Sequence, residues 1–174
     1  MNTKDPSLAA ILLEHRDDVV GGWLERTLQT YPDSAVRFLS SEKDPFRNPV
    51  GCTLKEGLGA LFDGLLQSTD VAAAMPVLDG IIRMRAVQDF SASQAVAFIF
   101  SLKQVIRGAI QGKITRFAGE VATLETRIDE LALLAFDVFV KCRQRIYEIR
   151  ANEAGRRVFL LEKVSQLHSP EPIS

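Results

Sequence analysis

The sequence predicts an all-α fold, a single helical bundle with a long C-terminal helix. Three observations carry that expectation. Apolar residues recur at three- and four-residue spacing along most of the chain. No alternating β-branched run stands between turns. From Glu120 to Leu167 there is no proline, and only Gly155 departs from helix-forming composition. At 174 residues the chain fits one domain able to bury a core without staples. With 47% hydrophobic residues, 25% charged residues and a net charge of −1, it reads as globular, with no overall bias toward nucleic acid.

The first helix is expected from a Ser7 cap, with Leu8, Ile11, Leu12, Val19, Trp23, Leu24 and Leu28 at helical spacing and Gly21-Gly22 as a place to kink. After a turn at Tyr31-Pro-Asp-Ser34, a short helix carries Ala35, Val36, Phe38 and Leu39. Prolines 45 and 49 then disfavour helix in the residues before them, which leaves Ser40–Pro49 irregular. Asn48 as cap and Pro49 in the first turn start the next helix. Its Gly57 and Gly64 stand one heptad apart, which predicts the close approach of another backbone. A third long helix is expected from Pro76 to about Gln88.

Ser91 with Gln94 has capping-box spacing and opens a helix through Ile106 that is apolar on almost every side, the mark of a central element. That helix fades near Gly108–Gly112. The final helix carries a seam of Val121, Leu124, Ile128, Leu131, Leu134, Ala135, Val138, Phe139, Ile146 and Ile149. Charged Glu153 and Arg156 then occupy seam positions, so residues 1–150 are expected to form the bundle and residues 151–174 a projecting helix end and frayed tail.

Little in the chain supports catalysis. It has no phosphate-binding glycine loop, no GxSxG and no HExxH, and its two histidines are His15 and His168. Glu14, His15, Asp17 and Asp18 share a helix face, but a solvated charged surface is the expectation there rather than a metal site. The basic run Lys141–Arg157 holds Lys141, Arg143, Arg145, Arg150, Arg156 and Arg157 against Glu148 and Glu153. A salt-bridged helix surface or protein interface is expected from it, not a nucleic-acid site.

Polar residues also gather where two irregular segments enter core helices: Asp44, Arg47 and Asn48 before one, and Arg83, Arg85 and Asp89 before the other. If the segments meet, Arg–Asp pairs would lock them; the other possibility is a pocket for an anionic effector. Cys52 and Cys142 are far apart and outside any CxxC pair, as expected of unreactive thiols in a reducing cytoplasm. No export signal is visible at the N-terminus, and no apolar run is long enough to cross a bilayer.

Three segments resemble the N-terminal domain of the RsbT co-antagonist family, RsbRD type: Asp44-Pro-Phe-Arg-Asn-Pro-Val-Gly51, Arg85-Ala-Val-Gln-Asp-Phe-Ser-Ala-Ser-Gln-Ala-Val96 and Cys142-Arg-Gln-Arg-Ile-Tyr-Glu-Ile-Arg150. The resemblance spans roughly residues 8 to 157. It implies a globin-like helical sensory module without haem and without cofactor, found ahead of STAS or kinase modules in stressosome and related proteins. It also implies a homodimer formed through the last helix, for which Leu131, Val138, Ile146 and Arg150 are the candidate contacts. The chain carries no STAS or kinase module, so a stand-alone cytoplasmic sensor or adaptor acting on a signalling partner is expected. A carrier with an internal pocket bounded by Arg83, Arg85 and Phe98 is the alternative.

Overall fold

Side-chain caps at Ser7, Asn48 and Ser91 set where three of the helices begin. The computed structural model describes residues 6–42, 44–67, 70–88 and 90–167. Helix α1 spans Leu8–Glu14, and the Ser7 hydroxyl accepts the Ala10 N–H at 3.2 Å. Helix α2 spans Arg16–Leu28. The expected first helix is therefore two, and the break falls at His15 rather than at Gly21-Gly22, through which α2 runs unbroken. The break lets the two pieces answer to different neighbours. In α1 the Leu8 N–H reaches Glu120 at 2.9 Å, whereas Arg16 at the head of α2 grips both oxygens of Asp63 at 2.7 and 2.8 Å.

Helix α3 spans Asp33–Ser41 and α4 spans Pro49–Leu66. Between them Asn48 is almost fully buried. Its Oδ1 accepts the Gly51 N–H at 2.9 Å, while its Nδ2 donates to the carbonyls of Leu39 at 2.9 Å and Glu42 at 2.8 Å. One side chain thus caps α4 and stitches it to the end of α3. Gly51 is required there, because a Cβ would stand 2.5 Å from the Leu39 carbonyl oxygen. The pair of glycines expected to admit a backbone behaves differently. A Cβ at Gly57 would meet the Ile81 side chain at 2.8 Å, and one at Gly64 would meet nothing within 4 Å.

A short 3-10 turn, Val71–Ala74, leads into α5, Met75–Ala86. Helix α6, Ala92–Ala109, opens with the Ser91–Gln94 capping box, with both reciprocal bonds made. Its Ala95, Val96, Phe98, Ile99, Leu102 and Ile106 are buried, and it packs against α2 on one side and the last helix on the other. Ala97, Phe100 and Gln104 remain exposed, so the helix is central without being enclosed on every side. Gly112, at φ 78°, takes the left-handed conformation that turns the chain back.

Helix α7, Ala118–Leu167, is 50 residues long and passes through Gly155 without interruption. Its Val121, Leu124, Ile128, Leu131, Ala135, Val138 and Phe139 complete the core against α5 and α6. Two ion pairs fasten α6 to it: Lys103 to Asp129 at 2.6 Å and Arg107 to Glu125 at 2.6 and 2.9 Å. The Arg107 guanidinium holds the Glu125 carboxyl below its usual range. Beyond Phe139 no side chain described is buried, and every residue from Tyr147 to Leu161 is exposed. Among the described residues there is no strand, and no helix is long and apolar enough to cross a membrane.

Replacing Asn48 with Ala is expected to cost about 1–3 kcal/mol, because the cap is lost and buried carbonyls are left without donors. Asn48→Ser, which keeps the cap acceptor, should fall between. Urea unfolding midpoints measure both, and an Asn48→Ala variant as stable as the parent would contradict this role.

Candidate functional site

Arg85 is fully buried although it carries a permanent charge. Three pieces of chain build its surroundings. The last turn of α5 supplies the arginine itself. The tight exit from α2, where the Tyr31 N–H bonds the Leu28 carbonyl at 2.9 Å, supplies Thr30 and Tyr31. Phe90 and the capped start of α6 supply the rest: the ring of Phe90, the carbonyl of Gln94 and the ring of Phe98.

The guanidinium carbon lies 5.1 Å from the Tyr31 ring centre, 4.2 Å from that of Phe90 and 5.2 Å from that of Phe98. Tyr31 and Phe90 meet edge to face, with centroids 5.2 Å apart. Phe98 is itself held from behind by Trp23, whose ring stacks on it at 6.2 Å and whose indole N–H donates to the Phe98 carbonyl at 2.7 Å. The arginine therefore sits in an aromatic cage with a fixed back wall.

Its polar contacts are lopsided. Nη2 donates to Thr30 Oγ1 at 2.8 Å and to the Gln94 carbonyl at 3.1 Å. Nε and Nη1 make no well-aligned hydrogen bond among the described residues, although the Tyr31 hydroxyl oxygen lies against the guanidinium as a further acceptor; Gln88 Oε1 is also buried without a donor there. Burial pushes the Arg85 guanidinium below its ordinary value and the Tyr31 phenol above its own, the latter opposed by the neighbouring positive charge. Taking a guanidinium out of water costs several kcal/mol. Aromatic faces worth about 0.5–2 kcal/mol each offset part of this. No carboxylate among the described residues pairs with it.

The other residues singled out in the two loops do not join Arg85. Asp44 works within its own loop: its carbonyl accepts the N–H groups of Arg47 and Asn48, and its carboxylate accepts the N–H of Phe46. Arg47 pairs with Glu42 at 3.0 Å, and Asn48 is the cap described above. Arg83 is an exposed surface residue paired with Asp79 one turn earlier, so it bounds no internal pocket. Asp89 lies outside the described residues. Among the described residues no arginine–aspartate pair joins the two loops, and two separate devices stand there, an asparagine stitch and a caged arginine. Phe90 and Tyr31 were not among the candidates, because in sequence they carry only the signature of ordinary core aromatics.

A surface cleft of about 760 Å³ runs between α2, α3 and α4, past Arg16, Val20, Leu24, Leu39, Cys52 and Lys55. It does not reach Arg85. Among the described residues no group of three or more histidine, cysteine, aspartate or glutamate side chains is placed to hold a metal ion.

The family model for the RsbT co-antagonist protein rsbRD N-terminal domain matches residues 17–154. The chain belongs to this family. The match runs from Asp17 in α2 through α6 and along α7 as far as Ala154, and so includes every side chain of the Arg85 cage. A relative from Archaeoglobus fulgidus, described as an uncharacterized protein, is 23% identical over 150 residues, covering 86% of this chain and 91% of that protein. No solved structure matches significantly.

In this RsbRD-type domain the long helix has two apolar stripes. Leu131 and Val138, expected as contacts to a partner helix, are instead taken up by the domain's own core, where they are 0% and 7% exposed. Ile146 is half-buried and Arg150 exposed. The stripe left open is a different one. Leu133, Phe136, Val140, Tyr147, Ala151, Ala154, Val158 and Leu161 fall on one exposed side of α7, interrupted only by half-buried Arg143. That arginine reaches back to the Ala86 carbonyl at 3.2 Å and to the Tyr147 hydroxyl at 3.1 Å.

Arg85→Lys should destabilise the domain by roughly 2–4 kcal/mol, since it loses the planar fork that lies on the rings and must either keep a buried charge or give up its proton. Arg85→Met, which removes the charge and keeps the volume, should cost less. Denaturant unfolding orders the two; lysine proving the milder change would show that the planar group is not what the cage holds.

Proposed function

We propose that this domain is a non-enzymatic cytoplasmic signalling module of the stressosome RsbR type, a sensor or adaptor that acts as a homodimer on a protein partner. The observation that carries this reading is the two-sided α7. One stripe closes the core, and the other is exposed from Leu133 to Leu161. Steps of three and four residues that average near 3.5 are the seam spacing of paired helices. The open stripe extends about 42 Å at 1.5 Å per residue. An exposed apolar stripe of that extent, broken only at Arg143, marks an interaction face.

Membership of the RsbRD N-terminal family supports the signalling class. Because both stripes lie on one continuous helix, a change in how α5 and α6 pack on its first half alters the register or tilt of the second. A two-state element of this kind can pass a signal to whatever binds its far end.

Light scattering during size-exclusion chromatography should give twice the 19.3 kDa chain mass. Phe136→Glu or Val140→Glu should shift the protein to a monomer with its helical circular dichroism intact, whereas Leu131→Glu should unfold it. A strict monomer at high concentration would remove the dimer from the proposal.

A further inference from the structure

We infer that Phe46 and the cleft between α2, α3 and α4 form a self-complementary contact at which a second copy of the chain docks, the ring of each copy entering the cleft of the other. Phe46 is 97% exposed, more than any other large apolar side chain described. Single apolar residues on a surface are common. This one differs because the turn that carries it is already fixed. The Asp44 carboxylate accepts the Phe46 N–H at 2.9 Å, and the Asp44 carbonyl accepts the N–H groups of Arg47 and Asn48 at 3.1 and 2.8 Å. Arg47 pairs with Glu42 at 3.0 Å, and Asn48 anchors the turn to the carbonyls of Leu39 and Glu42. A ring presented on a rigid turn loses little freedom on binding, which is the property of an anchoring side chain.

The receiving surface stands next to it. Pro45, the residue before the ring, lines the cleft of about 760 Å³, whereas Phe46 is not part of its wall. Val20, Leu24, Leu39 and Cys52 give the cleft its apolar lining, and the last three are only half-buried. At Gly21 an added Cβ would meet nothing within 4 Å, so the floor is open at that point. A benzene ring is held in roughly 150 Å³. The cleft therefore admits the ring with room for its flanking residues.

Two features select a second copy as the occupant. Knob and hole lie side by side on one patch, which is what a two-fold contact requires, since each copy then gives a ring and receives one. Charge agrees with this. The ring arrives beside Arg47, whose side chain is 70% exposed, and the cleft is edged by the exposed carboxylates of Asp17 and Glu56. Opposite charges on one patch steer two copies into a two-fold arrangement. None of these residues lies on α7, so the contact goes beyond the pairing proposed for that helix. Together the two contacts would link dimers to one another; this one alone would pair single chains.

Light scattering of the full chain over a rising concentration series tests this. The parent should grow beyond the α7 dimer as concentration rises. Phe46→Glu, which charges the knob, and Gly21→Gln, which fills the hole from an open helical position, should each weaken that growth at least about tenfold, with helical circular dichroism unchanged. Val140→Glu, monomeric when dilute, should still associate at high concentration and lose that association when Phe46→Glu is added. Mass that responds to Val140→Glu and never to Phe46→Glu would sink this contact and keep the α7 pairing; the opposite pattern would do the reverse. Placement is read with p-benzoylphenylalanine in place of Phe46, irradiated in a mixture of isotope-labelled and unlabelled chains. Mixed-isotope cross-links should reach the peptides bearing Leu24, Leu39 or Cys52. Cross-links confined to single chains, or made only to other surfaces, overturn the inference.

Discussion

The enclosed charge of Arg85 constrains everything around it. A guanidinium taken out of water must be given faces and acceptors, and the chain assembles them from positions far apart: Thr30 and Tyr31 at the exit of α2, Phe90, and Gln94 and Phe98 in α6. The cost of burial makes these elements interdependent. If the α2 exit moved away, the Nη2 hydrogen bond to Thr30 would be lost with nothing to replace it. If α6 slid by one residue, both the Gln94 carbonyl and the Phe98 ring would leave the cage. Its back wall is equally tied, because Trp23 both stacks on Phe98 and donates to its carbonyl.

Much of the fold was legible because it is specified by short-range chemistry. Ser91 and Gln94 announce the start of α6, and Asn48-Pro49 that of α4, from residues within one turn of each other. The length of α7 follows from the lack of any breaker after Glu120. The break at His15 was not legible, since the apolar spacing continues across it. Its cause is long-range, in the pull of Glu120 on one piece and of Asp63 on the other. Gly57 misled for a related reason: a glycine records that something comes close but not what, and here it is the Ile81 side chain.

The site divides the same way. Placing Arg85 among the interesting residues needed only its position beside a core helix. Its cage could not be inferred, because Tyr31 precedes Arg85 by more than fifty positions and looks like any other core aromatic. Asp44 and Asn48, grouped with it on composition, serve backbone geometry within their own segment. On α7, an apolar seam counted along the sequence did not say which of two stripes faces inward. Leu131 and Leu133 differ by two positions, yet one is sealed in the core and the other is 69% exposed.

The length of α7 has a mechanical consequence. From Tyr147, the first residue past half-buried Ile146 and the bond of Arg143 to the Ala86 carbonyl, to Leu167 the helix runs 20 residues, about 30 Å at 1.5 Å per residue. A helix held by the core along one part and projecting along the other acts as a lever with its fulcrum at the edge of the core. A tilt of about 10° at that fulcrum would carry the far end sideways by about 5 Å. A displacement of that size is close to one helical turn, enough to move a partner's side chain from one groove to the next. The domain can therefore keep a rigid interior and still deliver a large motion at its tip.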